Sequence, residues 1–191
     1  MKIAIESKSE KEAKFVLSDA TIEFANLLRR YAINSVPVYA IDDAAVYENT
    51  SSFFDEYLVH RLGLIPLTTP LKAKAGEEAT LMLDAEGPGT IYAESLKSTD
   101  KSVHPATPKM PIIKLLEGQR VRVEGKAIIA NARRHARWQP GIISYGYEKE
   151  GEFRFTVESY GQMDAEDIIK KALTQIQSNA EEIETQLEKA E

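Results

Sequence analysis

The spacing of apolar residues predicts an amphipathic helix from about Thr21 to Ile33. Ser18 or Asp19 precedes this helix and is expected to cap its first turn. The apolar positions occupy more than one stripe, so two sides of the helix are expected to be covered. These positions are Ile22, Phe24, Ala25, Leu27, Leu28, Tyr31 and Ala32.

A strand and a second helix are predicted directly after the first helix. Val, Ile, Ala and Tyr dominate the stretch from Val38 to Tyr47, which favours a strand. The second helix covers about Phe53 to Leu62, and Ser52 with Asp55 three residues later fits a capping-box variant at its start. Gly63 is expected as the C′ residue that ends it.

Alternation between apolar and polar residues predicts short strands elsewhere in the chain. Residues 1–17 indicate two strands around a charged turn, and Phe153–Glu158 alternates strictly. Four further strand-like runs are separated by segments that contain Pro, Gly or Ser, whereas Asn131–Tyr147 is predicted to be a loop. The four runs are Thr80–Leu83, Thr90–Leu96, Ile112–Leu116 and Val121–Ala130.

The C-terminal segment carries the most regular pattern. Asp164 is expected to cap a helix of roughly 25 residues, which would be about 37 Å long. Apolar residues follow steps of four and three, which is the spacing of a coiled-coil seam. In its first half an ordinary core helix explains the pattern equally well, whereas the glutamates around the narrow second half favour a partner helix. The seam consists of Ile169, Leu173, Ile176, Ala180, Ile183 and Leu187.

Composition narrows the functional classes. The 191 residues are 43% hydrophobic, enough for a core, and include no apolar run of membrane-spanning length and no segment typical of a secretory signal. The chain has no cysteine, which excludes disulfides, cysteine-based zinc sites and thiol nucleophiles and is consistent with a reducing cytoplasm. The net charge of −6 argues against a protein that grips nucleic acid over its whole surface.

Three blocks of the sequence resemble the family of D-type subunits of archaeal RNA polymerase, which is related to the N-terminal domain of the bacterial alpha subunit and to the eukaryotic third-largest polymerase subunit. The first block is ANLLRRYAINSVPVYAIDDAAVYENTSSFFDEYLVHRLGLIPL. The second, KAIIANARRHARWQPG, carries a His-Ala-basic-Trp motif before a proline. The third, FTVESYGQMDAEDIIKKAL, resembles the strand, glycine turn and long helix that close the family's dimerisation domain.

The resemblance implies an α+β fold with two domains. A split dimerisation domain of antiparallel strands and helices comprises residues 1–67 and 148–191. A mainly-β domain, residues 68–147, is inserted into it. It implies a non-catalytic component of a nucleotidyltransferase complex, the archaeal DNA-directed RNA polymerase, which acts in transcription. The chain would form a heterodimer with the smaller subunit L. That pair would be an assembly platform for the large catalytic subunits and the small subunits N and P. The chain would contact DNA only indirectly, through the complex, and no membrane partner is expected.

The same resemblance points to partner contacts, with no catalytic, cofactor or metal site in this chain. Pairing with subunit L is expected through the helices 21–33 and 164–190. Arg29 and Arg30 are expected to contact a large subunit, with ion pairs inside the chain as the alternative. Family members often carry a cysteine-rich iron–sulfur insertion, which is expected to be absent here because the chain has no cysteine. The expected interface is Phe24, Leu27, Leu28, Tyr31, Ile169, Leu173, Ile176, Ile183 and Leu187.

A metal-binding or catalytic site within the chain is a weaker hypothesis. The three histidines, at 60, 104 and 135, lack the spacing of metal ligands. Asp42-Asp43, Glu48 and Asp55-Glu56 provide carboxylates that general acid–base catalysis or Mg²⁺ binding would need. Their positions fit a helix cap and a strand kink or bulge better than a convergent pocket.

Two alternatives to the heterodimer stay open. A homodimer in the style of the bacterial alpha subunit would use the same faces on two copies. A nucleic-acid-binding factor would use the basic stretch Arg120–Trp138, with Trp138 stacking on a base. The other interpretation of that stretch is a charged β surface that faces acidic partners, with Trp138 packed in a small core.

Overall fold

The computed structural model describes residues 1–74 and 76–190, which contain three α-helices and ten strands and form the α+β fold expected from the sequence. All strand pairs within its sheets are antiparallel. The helices are α1 (Ile22–Asn34), α2 (Asp55–Gly63) and α3 (Ala165–Ala190). The strands are β1 (Lys2–Lys8), β2 (Glu12–Ser18), β3 (Val38–Asn49), β4 (Glu78–Glu86), β5 (Gly89–Tyr92), β6 (Lys97–Ser98), β7 (Pro111–Leu115), β8 (Arg120–Ala130), β9 (Gly141–Lys149) and β10 (Glu152–Ser159).

The chain folds into two compact units, each built from segments that are distant in sequence. The terminal unit contains β1, β2, β9, β10, α1 and α3, and the central unit contains β3 to β8 and α2. The domain boundaries expected from the sequence stay a prediction. The terminal unit comprises Met1–Val36, Asn131–Arg133 and the chain from Gln139 onward, and the central unit comprises Pro37–Ala130 and Arg134–Trp138.

The terminal unit is built on a four-stranded sheet in the order β1-β2-β10-β9, against which α1 and α3 pack. Phe153, Phe155 and Val157 of β10 are buried, which confirms the alternation in the sequence. Phe155 stacks on Phe15 of β2 with ring centroids 4.9 Å apart. Stacked aromatic pairs of this kind add to the free energy of burial, so they tie the two central strands together.

The central unit contains a four-stranded sheet in the order β3-β8-β4-β6 and a separate β5-β7 pair. Leu58 and Leu62 of α2 are buried in its apolar core together with Tyr39 and Ile41 of β3. The one apolar stripe of α2 therefore suffices to hold it, and the opposite side of the helix stays exposed.

A bulge interrupts β3 at Asp42, where the sequence indicated a kink. The pairing with β8 shifts register between Ile41 and Asp43. Arg137 donates from Nη1 to the main-chain oxygens of Ile41, at 2.7 Å, and Asp42, at 3.1 Å. The guanidinium thus satisfies the carbonyl groups that the bulge removes from the regular ladder.

The cap of α1 differs from the one expected. Thr21 is the N-cap, and its Oγ1 accepts a hydrogen bond from the Phe24 main-chain N–H at 3.3 Å. Ser18 belongs to β2, and Asp19 turns the chain with a φ of 56°. The prediction of Ser18 or Asp19 was wrong because the chain needs two residues to leave the sheet before the helix begins.

The start of α2 also differs from the expected capping box. The N-cap position is Phe54, which makes no side-chain capping bond, so the Ser52–Asp55 prediction was wrong. Asn49 organises this turn instead, because its Nδ2 donates to the Phe53 oxygen at 2.9 Å and to Asp55 Oδ1 at 2.8 Å. A side chain at the end of β3 thus fixes the turn that leads into α2, and no side chain caps the helix.

Gly63 closes α2 for a reason other than the expected left-handed conformation. It is the last helical residue and is buried, and Leu64 follows as the C-cap with a φ of −89°. A Cβ at Gly63 would lie 3.2 Å from the Ile41 oxygen and 3.1 Å from Arg137 Nη1. The position is thus reserved for glycine by close approach to the bulge and its arginine.

Two stretches differ from the elements predicted for them. Half of Asn131–Tyr147, predicted as a loop, is strand β9, which pairs along the length of β10. Thr90–Leu96, predicted as a strand, is one only to Tyr92 and continues as a 3-10 turn. Both errors arise because pairing partners decide short strands. None of the described helices has the length and apolar character needed to cross a bilayer.

We expect Arg137→Leu to destabilise the bulge of β3 by about 1–3 kcal/mol, because it leaves partly buried carbonyl acceptors without donors. Amide hydrogen exchange in β3 and β8 measures this loss. Lys114→Leu is the control, since Lys114 lies exposed on β7 and forms no ion pair with β3 or β8 among the described residues. Equal exchange rates in the two variants would contradict the role given to Arg137.

Candidate partner-binding surface

Helix α1 buries one face within the terminal unit and leaves a second apolar face partly uncovered. Ala25, Leu28 and Ala32 are the buried residues. Leu27 is 39% exposed, and Phe24 and Tyr31 are half-buried beside it. Of the α1 residues expected at the interface, Leu28 therefore belongs to the chain's own core, whereas the other three reach the surface.

Helix α3 changes from a core helix to an exposed helix along its length. Ala165, Ile168, Ile169 and Ala172 are buried, which accounts for the proximal half of the helix. Leu173 and Ile176 are partly exposed, and all residues from 180 to 190 are exposed. At 26 residues the helix is about 39 Å long. The sheet and α1 thus cover only its first part.

One polar contact marks where α3 leaves the terminal unit. Asn179 donates from Nδ2 to the Tyr31 hydroxyl at 3.0 Å. Beyond it, Ile183 is 61% exposed and Leu187 is 65% exposed. We call residues 180–190 the distal half of α3. Its two large apolar side chains continue the seam of the buried half without cover from the described residues.

An apolar groove runs beside the proximal half of α3. Ile3 and Ile5 of β1 face it and are largely exposed, because β1 is the edge strand of its sheet. With Phe15, Ile169 and Leu173 they line a cavity of about 170 Å³. The groove and the partly exposed Leu173 extend the apolar surface of the seam towards β1.

A carboxylate clamps β1 to α3 at the rim of this groove. Glu166 of α3 accepts from Lys170, at 2.8 Å, and forms an ion pair with Lys8 of β1. The hydrogen bonds from Lys170 and Lys8 lower the pKa of Glu166 from 4.5 to about 2. The charged form therefore holds the edge strand throughout the neutral range.

Arg30 of the arginine pair of α1 lines a second cavity in the terminal unit. Arg29 donates from Nη2 to Asn26 Oδ1 at 2.9 Å, and Arg30 is exposed. Within the described residues neither guanidinium has a carboxylate closer than 4.0 Å. Arg30 and Arg133 line a cavity of about 540 Å³ together with Glu23, so this cavity holds two positive groups and one carboxylate. The Ser35 hydroxyl at this cavity is buried and has no hydrogen-bond partner among those residues.

The basic stretch of the central unit is largely neutralised by its own fold. Lys126 pairs with Glu78 at 2.7 Å, Arg120 with Asp84 at 3.0 Å, and Arg134 with Asp42 at 2.6 Å. These pairs lie on the surface of the central unit, so they mainly cancel charge and add little stability.

Trp138 is unavailable for stacking on a base. It is 1% exposed, and its Nε1 donates to the Ile128 oxygen at 3.2 Å. This confirms the interpretation in which Trp138 packs in a core. The nucleic-acid alternative therefore loses the aromatic group and most of the free cations on which it depended.

The three histidines, Asp42 and Asp55 occupy structural positions in the central unit. His60 lies in the last turn of α2, the ring of His104 lies beside the Pro105 oxygen, and His135 Nδ1 accepts from the Arg137 main-chain N–H. Asp42 is held by its arginines and Asp55 by Asn49. Across residues 1–74 and 76–190, no three His, Asp or Glu side chains converge as a metal site would require.

Sequence reasoning missed an aromatic cluster in the central unit. Phe53 and Tyr57 stack with ring centroids 5.0 Å apart, and Phe54 meets Tyr57 edge-on. All three are exposed, Phe54 at 68%. The signal is the adjacent pair of phenylalanines, which the apolar pattern assigns to the start of α2 although they precede it.

The segment that follows the His-Ala-Arg-Trp motif is short and regular. It consists of β9 and a two-residue turn that ends at Gly151, with a φ of 74°, before β10 begins. The resemblance places the cysteine-rich insertion of other family members here. In this chain the space is taken by a tight hairpin without cysteine.

Comparison with known proteins gives consistent matches. Residues 14–180 match the family model described as RNA polymerase Rpb3/Rpb11 dimerisation domain. The chain is 43% identical over 180 residues to "DNA-directed RNA polymerase subunit Rpo3" of Methanocaldococcus jannaschii, covering 93% of this chain and 92% of that protein. It is 44% identical over 154 residues to the Pyrococcus furiosus protein of the same description, covering 77% of this chain and 59% of that protein.

Coverage of the relatives is uneven. The Halobacterium salinarum protein of the same description is 45% identical over 140 residues, which cover 73% of this chain and 56% of that protein. The chain thus spans somewhat over half of the Pyrococcus and Halobacterium relatives and nearly all of the Methanocaldococcus relative.

We expect Glu166→Gln to loosen β1, because it removes the carboxylate that both lysines hold. Amide hydrogen exchange of Lys2–Lys8 should become faster, while β10 keeps its protection. Acid should act in the same direction: the depressed pKa means that the clamp contributes at pH above about 4.5 and is lost as the pH falls towards about 2.

Glu12→Gln serves as the control for this variant, since Glu12 pairs with Lys14 on the same strand and holds no other element. If Glu12→Gln loosened β1 as much as Glu166→Gln, the clamp would be an effect of lost charge alone.

Proposed function

This chain belongs to the RNA polymerase Rpb3/Rpb11 dimerisation-domain family as an Rpo3-type member, and from this premise we propose that it is a non-catalytic assembly subunit of an archaeal DNA-directed RNA polymerase. Its role is to form a heterodimer with the smaller subunit L and to present that pair as a platform. Transcription in the cytoplasm is the process in which the complex acts.

The observation that carries the proposal is the uncovered distal half of α3. Ile183 and Leu187 continue a seam in which Ile169 is buried and Leu173 and Ile176 are partly exposed, and both are more than half exposed. Burying a Leu or Ile side chain contributes about 1.5–3 kcal/mol. A partner helix laid along the distal half would gain this free energy from both residues.

The surface offered to subunit L extends beyond α3. Phe24, Leu27 and Tyr31 of α1 are uncovered in part, and the groove lined by Ile3 and Ile5 lies beside Leu173. Helix pairs from two chains that pack in this way form a bundle in which apolar burial supplies most of the affinity. Leu28 supports that surface from beneath, since it lies in the chain's own core.

The wider assembly uses other faces of the molecule. Arg29 and Arg30 lack carboxylate partners in the described residues, which favours their use against a large catalytic subunit. The small subunits N and P are further partners of the platform, and DNA is reached only through the complex. A preformed docking surface lowers the cost of ordering the later subunits.

We expect the double variant Ile183→Asp/Leu187→Asp to lose pairing with subunit L by at least about 100-fold, because two apolar side chains are replaced by charges that would be buried unpaired. Co-expression of the two subunits, followed by size-exclusion chromatography with light scattering, measures this. The wild type should elute as a 1:1 heterodimer.

The matched control is Ser178→Asp/Thr185→Asp, which adds the same charge to exposed residues on the side of α3 opposite the seam. This control should pair normally. A wild-type chain that stays monomeric or forms a homodimer indifferent to subunit L would contradict the proposal, and the homodimer would favour the alpha-like alternative.

A further inference from the structure

The distal half of α3 carries its charge on one side of the seam. Spacings of three and four place Glu181, Glu184 and Glu188 in one stripe along the helix. Glu184 follows the seam residue Ile183 directly, so the stripe borders the apolar surface. We call these three residues the acidic stripe.

The other side of the seam is neutral. Asn179 and Gln186 directly precede the seam residues Ala180 and Leu187, so they border it on the side opposite Glu184. Behind them Glu182 and Lys189 carry opposite charges. The asymmetry is therefore a property of this surface and not a general excess of acid around the helix.

The acidic stripe forms no ion pair within the part of the chain that the structure describes. All three residues are exposed, and Glu181 accepts only an uncharged hydrogen bond, from Gln177 at 2.8 Å. Among the described residues no lysine, arginine or histidine nitrogen lies within 4.0 Å of the three carboxylates. Glu188 in addition lies in the last turn, where the helix dipole disfavours negative charge.

We infer that the distal half of α3 selects a partner helix whose apolar seam is flanked on one side by lysine or arginine. This inference rests on the proposed pairing function and specifies the chemistry of the partner. Charges that flank a helical seam set partner choice more than they set affinity. The apolar seam supplies attraction, and the acidic stripe decides which helix can approach.

A second copy of this chain does not meet the requirement. Between residues 172 and 190 its only basic residue is Lys189. Neither border of its seam therefore offers a basic stripe, whichever way a second α3 is oriented. Two copies would leave six carboxylates beside a shared apolar seam, which disfavours the homodimer.

The test replaces the stripe while keeping the helix. Glu181→Gln/Glu184→Gln/Glu188→Gln preserves side-chain length, and Gln is about as good a helix former as Glu. The control, Glu86→Gln/Glu94→Gln/Glu117→Gln, changes net charge equally at exposed residues of the central unit. Each variant competes with a tagged wild-type chain for limiting subunit L, at 50 and 500 mM salt, and mass spectrometry measures the captured ratio.

We expect the stripe variant to capture about tenfold less subunit L than the wild type at low salt. At high salt the two should converge, because surface charges are then screened within about 4–5 Å. The control should match the wild type at both salt concentrations. The stripe variant alone should also self-associate more than the wild type alone.

Each other outcome counts against the inference. Equal capture at low salt, or a deficit that is unchanged by salt, would overturn charge selection while leaving the pairing function intact. A control as impaired as the stripe variant would show that net charge matters and position does not. A wild-type chain that captures no subunit L would contradict the proposed function and this inference together.

Discussion

The terminal unit depends on one constraint: the apolar seam of α3 extends beyond the sheet and α1, which cover only the first part of the helix. The sheet and α1 cover Ile168, Ile169 and Ala172, yet the same helix continues with Ile183 and Leu187 in water. An isolated amphipathic helix gains little from propensity alone and needs packing against an apolar face. In the proposed heterodimer a second chain would cover the distal half, and the rest of the unit holds the helix in position for it.

The charges of the two units are organised differently. In the central unit most cations of the basic stretch lie beside an acidic residue, and Arg137 donates hydrogen bonds to the carbonyl groups of the β3 bulge. In the terminal unit Glu166 serves the fold, whereas Arg30 and the acidic stripe have no opposite charge within 4.0 Å among the described residues. Under the proposed function these unpaired groups are available to partner subunits.

Sequence patterns predicted the elements whose burial is set by their own periodicity. The existence and length of α3 and the alternation along β10 follow from residue spacing, and the Asp42-Asp43 pair indicated the irregularity in β3. Features that depend on a distant partner were missed: β9 exists because β10 pairs with it, and Asn49 at the end of β3 holds the turn before α2. Leu28 shows the limit for the site, since spacing identifies an apolar face and does not say whether the chain's own core or a partner covers it.

The uncovered end of α3 also affects how readily proteases cut the chain before it pairs. Residues 180–190 are exposed along their whole length, and within the described part of the chain only hydrogen bonds of the helix itself hold this stretch. Segments of this kind open locally at low cost and are where proteases cut first. In the proposed heterodimer the partner would cover this stretch, so an unpaired copy would be cut more readily than a paired one. Under that proposal the length of one helix would tie the lifetime of the chain to the supply of its partner.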